Sequence, residues 1–417
     1  MPRTVIASDK LPPLTRPLSY GVKAGGWVFT AGMLGLDPAG NVVGTSPGRP
    51  DVEAQTRQTF QNLTTTLEAL DVLPDRAAKV KGYITDFRYF DRYNRTYREF
   101  FKPPYPARAT VGNGLAREGA MIEVEAIATV SGTPREIRSP KLADWEPPAA
   151  QGGTGVGDVL FVSGHVARDA AGQLVGRGDM RAQAEQALDN VGATLEATGF
   201  SFSDVIKING TVPDWYGFNR YNDIFMKYFT EPFESRATIQ GNLALEGMLI
   251  EIEAVAARGT KRIVESEAAG SGHFTLKRRA DTIYVPELPG ALAPHSHAVQ
   301  VGDLVYLCGE VGYDASSRLV GPGDIRAQTR KTLENLRLCM EALGGSMDDI
   351  VKANASITDY RMVAAFNEEY AKFFTPPYPA RTTVVGGLAQ DRMVVEIEAI
   401  AVLGASHNAV AVTGPAR

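Results

Sequence analysis

The segment P-P-Y-P-A-R-x-T-V is written twice in this chain, at 103–111 and 376–384, and a degenerate version, E-P-F-E-S-R-A-T-I, stands between them at 231–239. Fifteen residues after the arginine of each copy comes a glutamate inside an apolar run. The pairs are Arg108 with Glu123 (MIEVEAIA), Arg236 with Glu251 (LIEIEAVA) and Arg381 with Glu396 (VVEIEAIA). A spacing held over three copies means one module written three times, and it restricts the chain to architectures in which like units pack on one another. It also predicts a cation and a carboxylate close together in every unit.

The register extends well beyond these segments. Copies two and three align at a constant offset of 145, matching Gly157 with Gly302, Gln183 with Gln328 and Asn222 with Asn367. Copies one and two align at 128 from Gln55 onward, matching Asn62 with Asn190 and Asn94 with Asn222. Before that point the offset is 132, so copy one carries four extra residues near Ser46–Asp51. The modules are assigned to 1–135, 136–260 and 261–417, the last with a linker at 261–279 and a C-terminal tail. Linkers are expected near 131–148 and 260–279, the second containing Gly-Ser-Gly at 270–272, and the tail after Gly404 is expected to be loose.

Each copy reads as the same series of elements. An apolar run ending in glycine (WVFTAG, VLFVSG, LVYLCG) predicts a strand, and a D-x-x-G turn follows at Asp37 and Asp169, weakened at Asp314. Phe60, Leu63, Leu67 and Leu70 recur at helical spacing, as do Leu333, Leu336 and Met340. A β-rich run (KVKGYITD, VIKINGTV, IVKANASI) precedes a second helix, and two strands close the unit, the last holding E-x-E. The class is therefore α+β, with two helices covering one face of a mixed sheet.

Bulk properties limit what such modules do. With 44% hydrophobic and 22% charged residues the chain is an ordinary globular one, and a net charge of −5 without a basic stripe argues against nucleic acid as a partner. No apolar run is long enough for a membrane span, and two cysteines give no disulfide framework, so a cytoplasmic protein with no membrane partner is expected. No Cys/His cluster has metal-ligand spacing. His295 and His297 lie two apart but lack a third ligand in sequence, so neither metal nor cofactor is expected.

Strand, turn, helix, strand and helix followed by P-A-R-x-x-V and I-E-I-E-A-I-A resemble the Rid/YjgF family of reactive-intermediate (enamine/imine) deaminases. The resemblance covers all three copies. It implies a chorismate-mutase-like α+β module, and here three such modules forming an intramolecular pseudo-trimer, a monomer or a higher oligomer of it. It also implies clefts at the module interfaces. In those clefts arginine (Arg108, Arg236, Arg381) binds a substrate carboxylate and glutamate (Glu123, Glu251, Glu396) positions water, with Asn94, Asn222 and Asn367 as further lining. The implied function is cofactor-independent hydrolytic deamination of a carboxylate-bearing enamine or imine, as a specialised pathway step. Elimination, tautomerisation or cyclisation at the same site, and a non-catalytic metabolite-binding module, are the alternatives.

The copies also diverge. Copy three has Pro294-His295-Ser296-His297-Ala298-Val299, copy one has Pro17-Leu18-Ser19-Tyr20-Gly21-Val22, and copy two has lost the pattern at 149–154. The residue before the strand-ending glycine is Ala31, Ser163 or Cys308, and the one after it is Met33, His165 or Glu310. These six are expected at cleft borders, making the clefts chemically unequal. His165 and Glu310 are candidate acid/base groups, and Cys308 and His295 candidate substrate contacts. Copy three keeps the most elements, so Glu396 is the favoured catalytic carboxylate.

Overall fold

The computed structural model describes residues 3–8, 10–45, 50–144, 148–267, 280–406 and 410–413. The extra residues at 46–49 and the Gly-Ser-Gly at 270–272 lie outside them.

The same local signals build every module. The long helices α1 (Val52–Glu68), α3 (Met180–Glu196) and α5 (Ile325–Ala342) each begin at an aspartate whose carboxylate accepts backbone N–H bonds from the first turn: Asp51, Asp179 and Asp324. Before them, Asp37, Asp169 and Asp314 close turns by accepting backbone N–H groups from Asn41, Gln173 and Arg318. Gly40 and Gly172 take φ of +85° and +81° there, and in copy three Ser317 adopts +55° in place of a glycine. The second helices are α2 (Phe90–Phe100), α4 (Phe218–Tyr228) and α6 (Val363–Tyr370), the last continued by a 3-10 turn at Ala371–Phe373.

In each sheet the E-x-E strand (Ile122–Thr129, Glu251–Ala257, Val395–Val402) is central. It runs antiparallel to the glycine-ending strand on one side and to the lysine-bearing strand (Ala77–Ile84, Val205–Val212, Ile350–Ile357) on the other. The arginine strand (Ala107–Gly112, Ser235–Gln240, Ala380–Val385) pairs parallel with the lysine strand. Helices cover the outer face of each sheet, burying Phe60, Leu63 and Leu67 in copy one and Leu333, Leu336 and Met340 in copy three.

The linkers and tail depart from expectation. Arg135–Ile137 adds a strand to the second sheet and Lys261–Ser266 one to the third, as Thr4–Ala7 does for the first. The described part of the tail is also a strand: Val410–Thr413 pairs parallel with Thr4–Ala7, so the first sheet holds both ends of the described chain. Regular backbone pairing at an open sheet edge outweighs the loop-like composition of these segments.

The modules meet in cyclic order, each offering its arginine strand to the next. Gly164 N donates to Arg108 O at 2.9 Å, Ser296 N to Glu234 O at 3.1 Å, and Gly32 N to Arg381 O at 3.2 Å. Copy two, which has lost the loop pattern, keeps the equivalent backbone bond: Ala150 N donates to Pro106 O at 3.1 Å, where Ser19 N meets Pro379 O in copy one. At the centre a cavity of about 80 Å³ is lined by strands of all three sheets. Here the second glutamate of each E-x-E pairs with a lysine of the preceding module. Lys79 and Lys81 hold Glu253 at 2.7 Å, and Lys207–Glu398 and Lys352–Glu125 lie at 2.8 Å.

Candidate functional site

The first glutamate of E-x-E lies on the same strand face as the second, two residues along and at a junction. Its carboxyl lies on the backbone of the strand-ending glycine of its own module. A Cβ at Gly32, Gly164 or Gly309 would overlap Oε1 of Glu123, Glu251 or Glu396 respectively, so glycine at these positions makes the room.

The arginine facing each glutamate comes from the preceding copy. Arg108 and Glu251 line one cavity of about 110 Å³ between modules one and two, together with Ser163 and His165. Arg381 and Glu123 line another of about 350 Å³ between modules three and one, together with Met33. At the junction of modules two and three, Arg236 lies within electrostatic reach of Glu396. The close approach of cation and carboxylate is therefore made between copies, because the arginine strand is the outermost strand of its own module and abuts the next one.

Each guanidinium is buried and lies on the aromatic rings of its second helix. Arg108 sits 4.9 Å from the Tyr97 ring, Arg236 4.4 Å from Tyr221 and Phe225, and Arg381 4.6 Å from Tyr370. Arg381 Nη2 donates to Asn367 Oδ1 at 2.5 Å, which fixes the group in plane. Donors are left over: among the described residues, Nη1 of Arg108, Nε and Nη1 of Arg381, and all three nitrogens of Arg236 have no hydrogen-bond partner at normal geometry. The carbonyl oxygens of Asn94 and Asn222 are unpaired too. Buried unpaired guanidinium nitrogens are costly, and a planar anion satisfies them.

The glutamates have the complementary bias. Burial first, then the neighbouring second glutamate, pushes Glu123, Glu251 and Glu396 up to about 8. The second glutamates go the other way where lysines hold them. Burial alone would raise Glu253, but Lys79 and Lys81 bring it down to about 2, and Lys207 likewise holds Glu398 below the usual range. One strand thus carries an acid that keeps its proton beside a carboxylate that does not.

The other candidates fall in different places. His165 lines the first cavity, with Nε2 3.0 Å from Thr194 Oγ1, and burial lowers it to about 4, so it is neutral at pH 7. Ala31 is buried and no lining of the described cavities includes it. Glu310 and Cys308 are buried between the third sheet and α5. The Cys308 thiol donates to Glu310 Oε1 at 3.1 Å, and burial, then Glu310, raises the thiol well above its usual value. His297 Nδ1 contacts Glu310 and its Nε2 meets Pro289 O at 3.0 Å. Burial opposes the charge on His297, but Glu310 wins and raises its proton affinity, while burial lowers His295 to about 3.

Possible metal-ligand atoms of His295, His297 and Cys308, and of His297, Glu310 and Cys339, gather within 4.8 Å, so the third ligand missing from local sequence is supplied by folding. Both ring nitrogens of His297 are nevertheless engaged already, and the cluster closes on itself as a buried ion pair.

Three groups in or beside the clefts escaped the sequence reading. Arg16 and Arg117 line the third cavity, and Glu234 is buried beside Arg236, pushed up to about 8 by burial. The loop position of Arg16 is Ala293 in copy three, so no repetition marks it in the sequence.

Comparison with known proteins agrees with this architecture. A family model described as endoribonuclease L-PSP matches residues 9–130, 148–258 and 286–403. A RutC family protein of Pyrococcus horikoshii is 35% identical over 122 residues, covering 29% of this chain and 96% of that protein. A protein of Dermatophagoides farinae named 2-iminobutanoate/2-iminopropanoate deaminase is 36% identical over 121 residues, covering 29% of this chain and 94% of its own. A solved chorismatase is similar in fold over 78% of this chain and 93% of its own, with a TM-score of 0.53 and 14% identity. Among the described residues no helix is long and apolar enough to cross a membrane. The chain belongs to the endoribonuclease L-PSP family, the Rid family that its motifs resemble, and carries the family's module three times.

Proposed function

We propose that the chain hydrolyses imines bearing a carboxylate, and enamines that tautomerise to them, to the 2-oxo acid and ammonia. The observation that carries this reading is a buried arginine with unpaired donors and a proton-holding glutamate of the next module on one cavity, as at Arg381 and Glu123. The guanidinium takes the substrate carboxylate in a two-pronged contact and fixes the C=N carbon near the glutamate. The glutamic acid gives its proton to the imine nitrogen. The resulting carboxylate takes a proton from water as the water oxygen adds to carbon. Return of that proton to nitrogen makes ammonia the leaving group, and as the C–N bond breaks the carboxylate takes the hydroxyl proton, leaving the ketone and the restored glutamic acid. A 2-iminobutanoate/2-iminopropanoate deaminase among the relatives supports the substrate class.

The roomiest described junction cavity holds Glu123 and Arg381, so that cleft is taken as the principal site, in place of the one built on Glu396. The test is ammonia release from 2-iminobutanoate generated in situ. Wild type should exceed the uncatalysed rate. Glu123→Gln should lose about 100-fold, and Glu251→Gln much less. Wild type releasing ammonia no faster than the uncatalysed reaction would overturn the proposal, and equal losses in both variants would remove the preference for the third cleft.

A further inference from the structure

The third cleft is unlike the others in charge. Its cavity of about 350 Å³ is lined by three arginines, Arg16, Arg117 and Arg381, against one acid, Glu123. None of the three makes a salt bridge among the described residues. Arg16 is aimed by one bond, from Nη2 to Ala116 O at 2.9 Å, and Arg117 Nη2 is held by Gly40 O at 2.9 Å at the other side. Neither position recurs in copy three as a cation, because Arg16 corresponds to Ala293 and Arg117 to Gln390 when the copies are laid over each other. The described cavity of the first junction is lined by Arg108 and Arg168 in a third of that volume.

We infer that the third cleft is built for a dicarboxylate: one carboxylate on Arg381 beside Glu123, the second on Arg16, with Arg117 adding to the attraction at the rim. The inference rests on the reading of Arg381 as the first carboxylate's site and narrows the substrate to imines of dicarboxylic 2-oxo acids. A monocarboxylate leaves Arg16 facing Arg381 across a low-dielectric cavity with no counter-charge, since Glu123 holds its proton near neutrality. Burial lowers the proton affinities of Arg16 and Arg381; Glu123 and Tyr370 respectively draw the other way, and the repulsion of Arg117 on Arg16 and of Arg16 on Arg381 adds to the lowering. A second anion relieves that repulsion and makes charge-assisted bonds to a planar donor.

The experiment is calorimetric titration of the full chain with 2-oxobutanoate and with 2-oxoglutarate, for wild type, Arg16→Gln and Arg16→Lys. Wild type should bind 2-oxoglutarate about 10-fold or more tightly than 2-oxobutanoate. Arg16→Gln should erase that preference while leaving 2-oxobutanoate binding within about twofold, and Arg16→Lys should keep part of it. No preference in wild type, no binding of either acid, or equal weakening of both acids in Arg16→Gln overturns the inference. Turnover does not enter this titration. A chain that binds the dicarboxylate but releases no ammonia sinks the hydrolysis reading alone, and one that hydrolyses imines without the preference sinks the dicarboxylate alone.

Discussion

Replacing Lys352 by methionine should be among the most damaging single changes in the molecule, although the residue lies far in sequence from anything it touches. Its ammonium donates to Thr30 O at 2.8 Å, Glu125 Oε2 at 2.8 Å and Thr382 Oγ1 at 2.7 Å, using all three protons. Two of those acceptors belong to module one, so the group ties the third module to the first. The side chains of Lys352 and Glu125 are only 5% and 9% exposed. Removing the cation leaves Glu125 buried with Thr382 and Asn354 as partners, and an uncompensated buried charge of this kind costs about 3–5 kcal/mol. The exposed pair Arg57–Glu99, at 2.7 Å, is the control: losing it should cost below about 1 kcal/mol. Urea denaturation followed by tryptophan fluorescence and circular dichroism gives both values. The double variant Lys352→Met/Glu125→Met, which removes both charges, should recover most of the loss. The reasoning fails if Lys352→Met costs no more than Arg57→Met.

Stability should also depend on pH in a defined window. The folded chain keeps protons on Glu123, Glu251 and Glu396 up to about pH 8, whereas their ordinary value is 4.5. Between those values the unfolded chain binds fewer protons, so the stability these groups contribute is full below 4.5 and is lost as pH rises through 8. The slope is about 1.4 kcal/mol per pH unit for each group. Melting curves from pH 5 to 8.5 should show it, and each Glu→Gln change should remove one share; an unchanged slope in all three variants would contradict the assignment. In solution the closed three-module ring should behave as a single chain, with light scattering near 45 kDa. A mass three times larger, from rings of like modules contributed by three chains, would refute intramolecular closure.

Much of this molecule was legible in its sequence because the signals were local and written three times. Helical spacing at Phe60, Leu63 and Leu67, the turn at Asp37–Gly40 and the alternation of IEVEAIAT each report on neighbours a few residues away. Contacts between copies were legible only through the family resemblance, which implies clefts at the module interfaces, and not from the spacing of the residues themselves. A fixed spacing of Arg108 and Glu123 invites pairing within a copy, yet Arg108 sits on an edge strand and meets Glu251. The two glutamates of E-x-E share a strand and a face, but only folding shows that Glu125 meets Lys352 at the axis while Glu123 is left with its proton. The lysines themselves, Lys79, Lys207 and Lys352, recur in register inside apolar strands, a signal as regular as the arginines. Arg16 had no such repetition, since a residue present in one copy alone differs from loop variation only once the cavity it lines is known.

The most direct measurement is a crystal structure of the chain with 2-oxobutanoate, the product of the proposed reaction on its simplest substrate. The account predicts its carboxylate against the free nitrogens of Arg381, with the carbonyl carbon turned toward Glu123 of the neighbouring module. An acid bound elsewhere, or Arg381 left bare in crystals saturated with ligand, would contradict it.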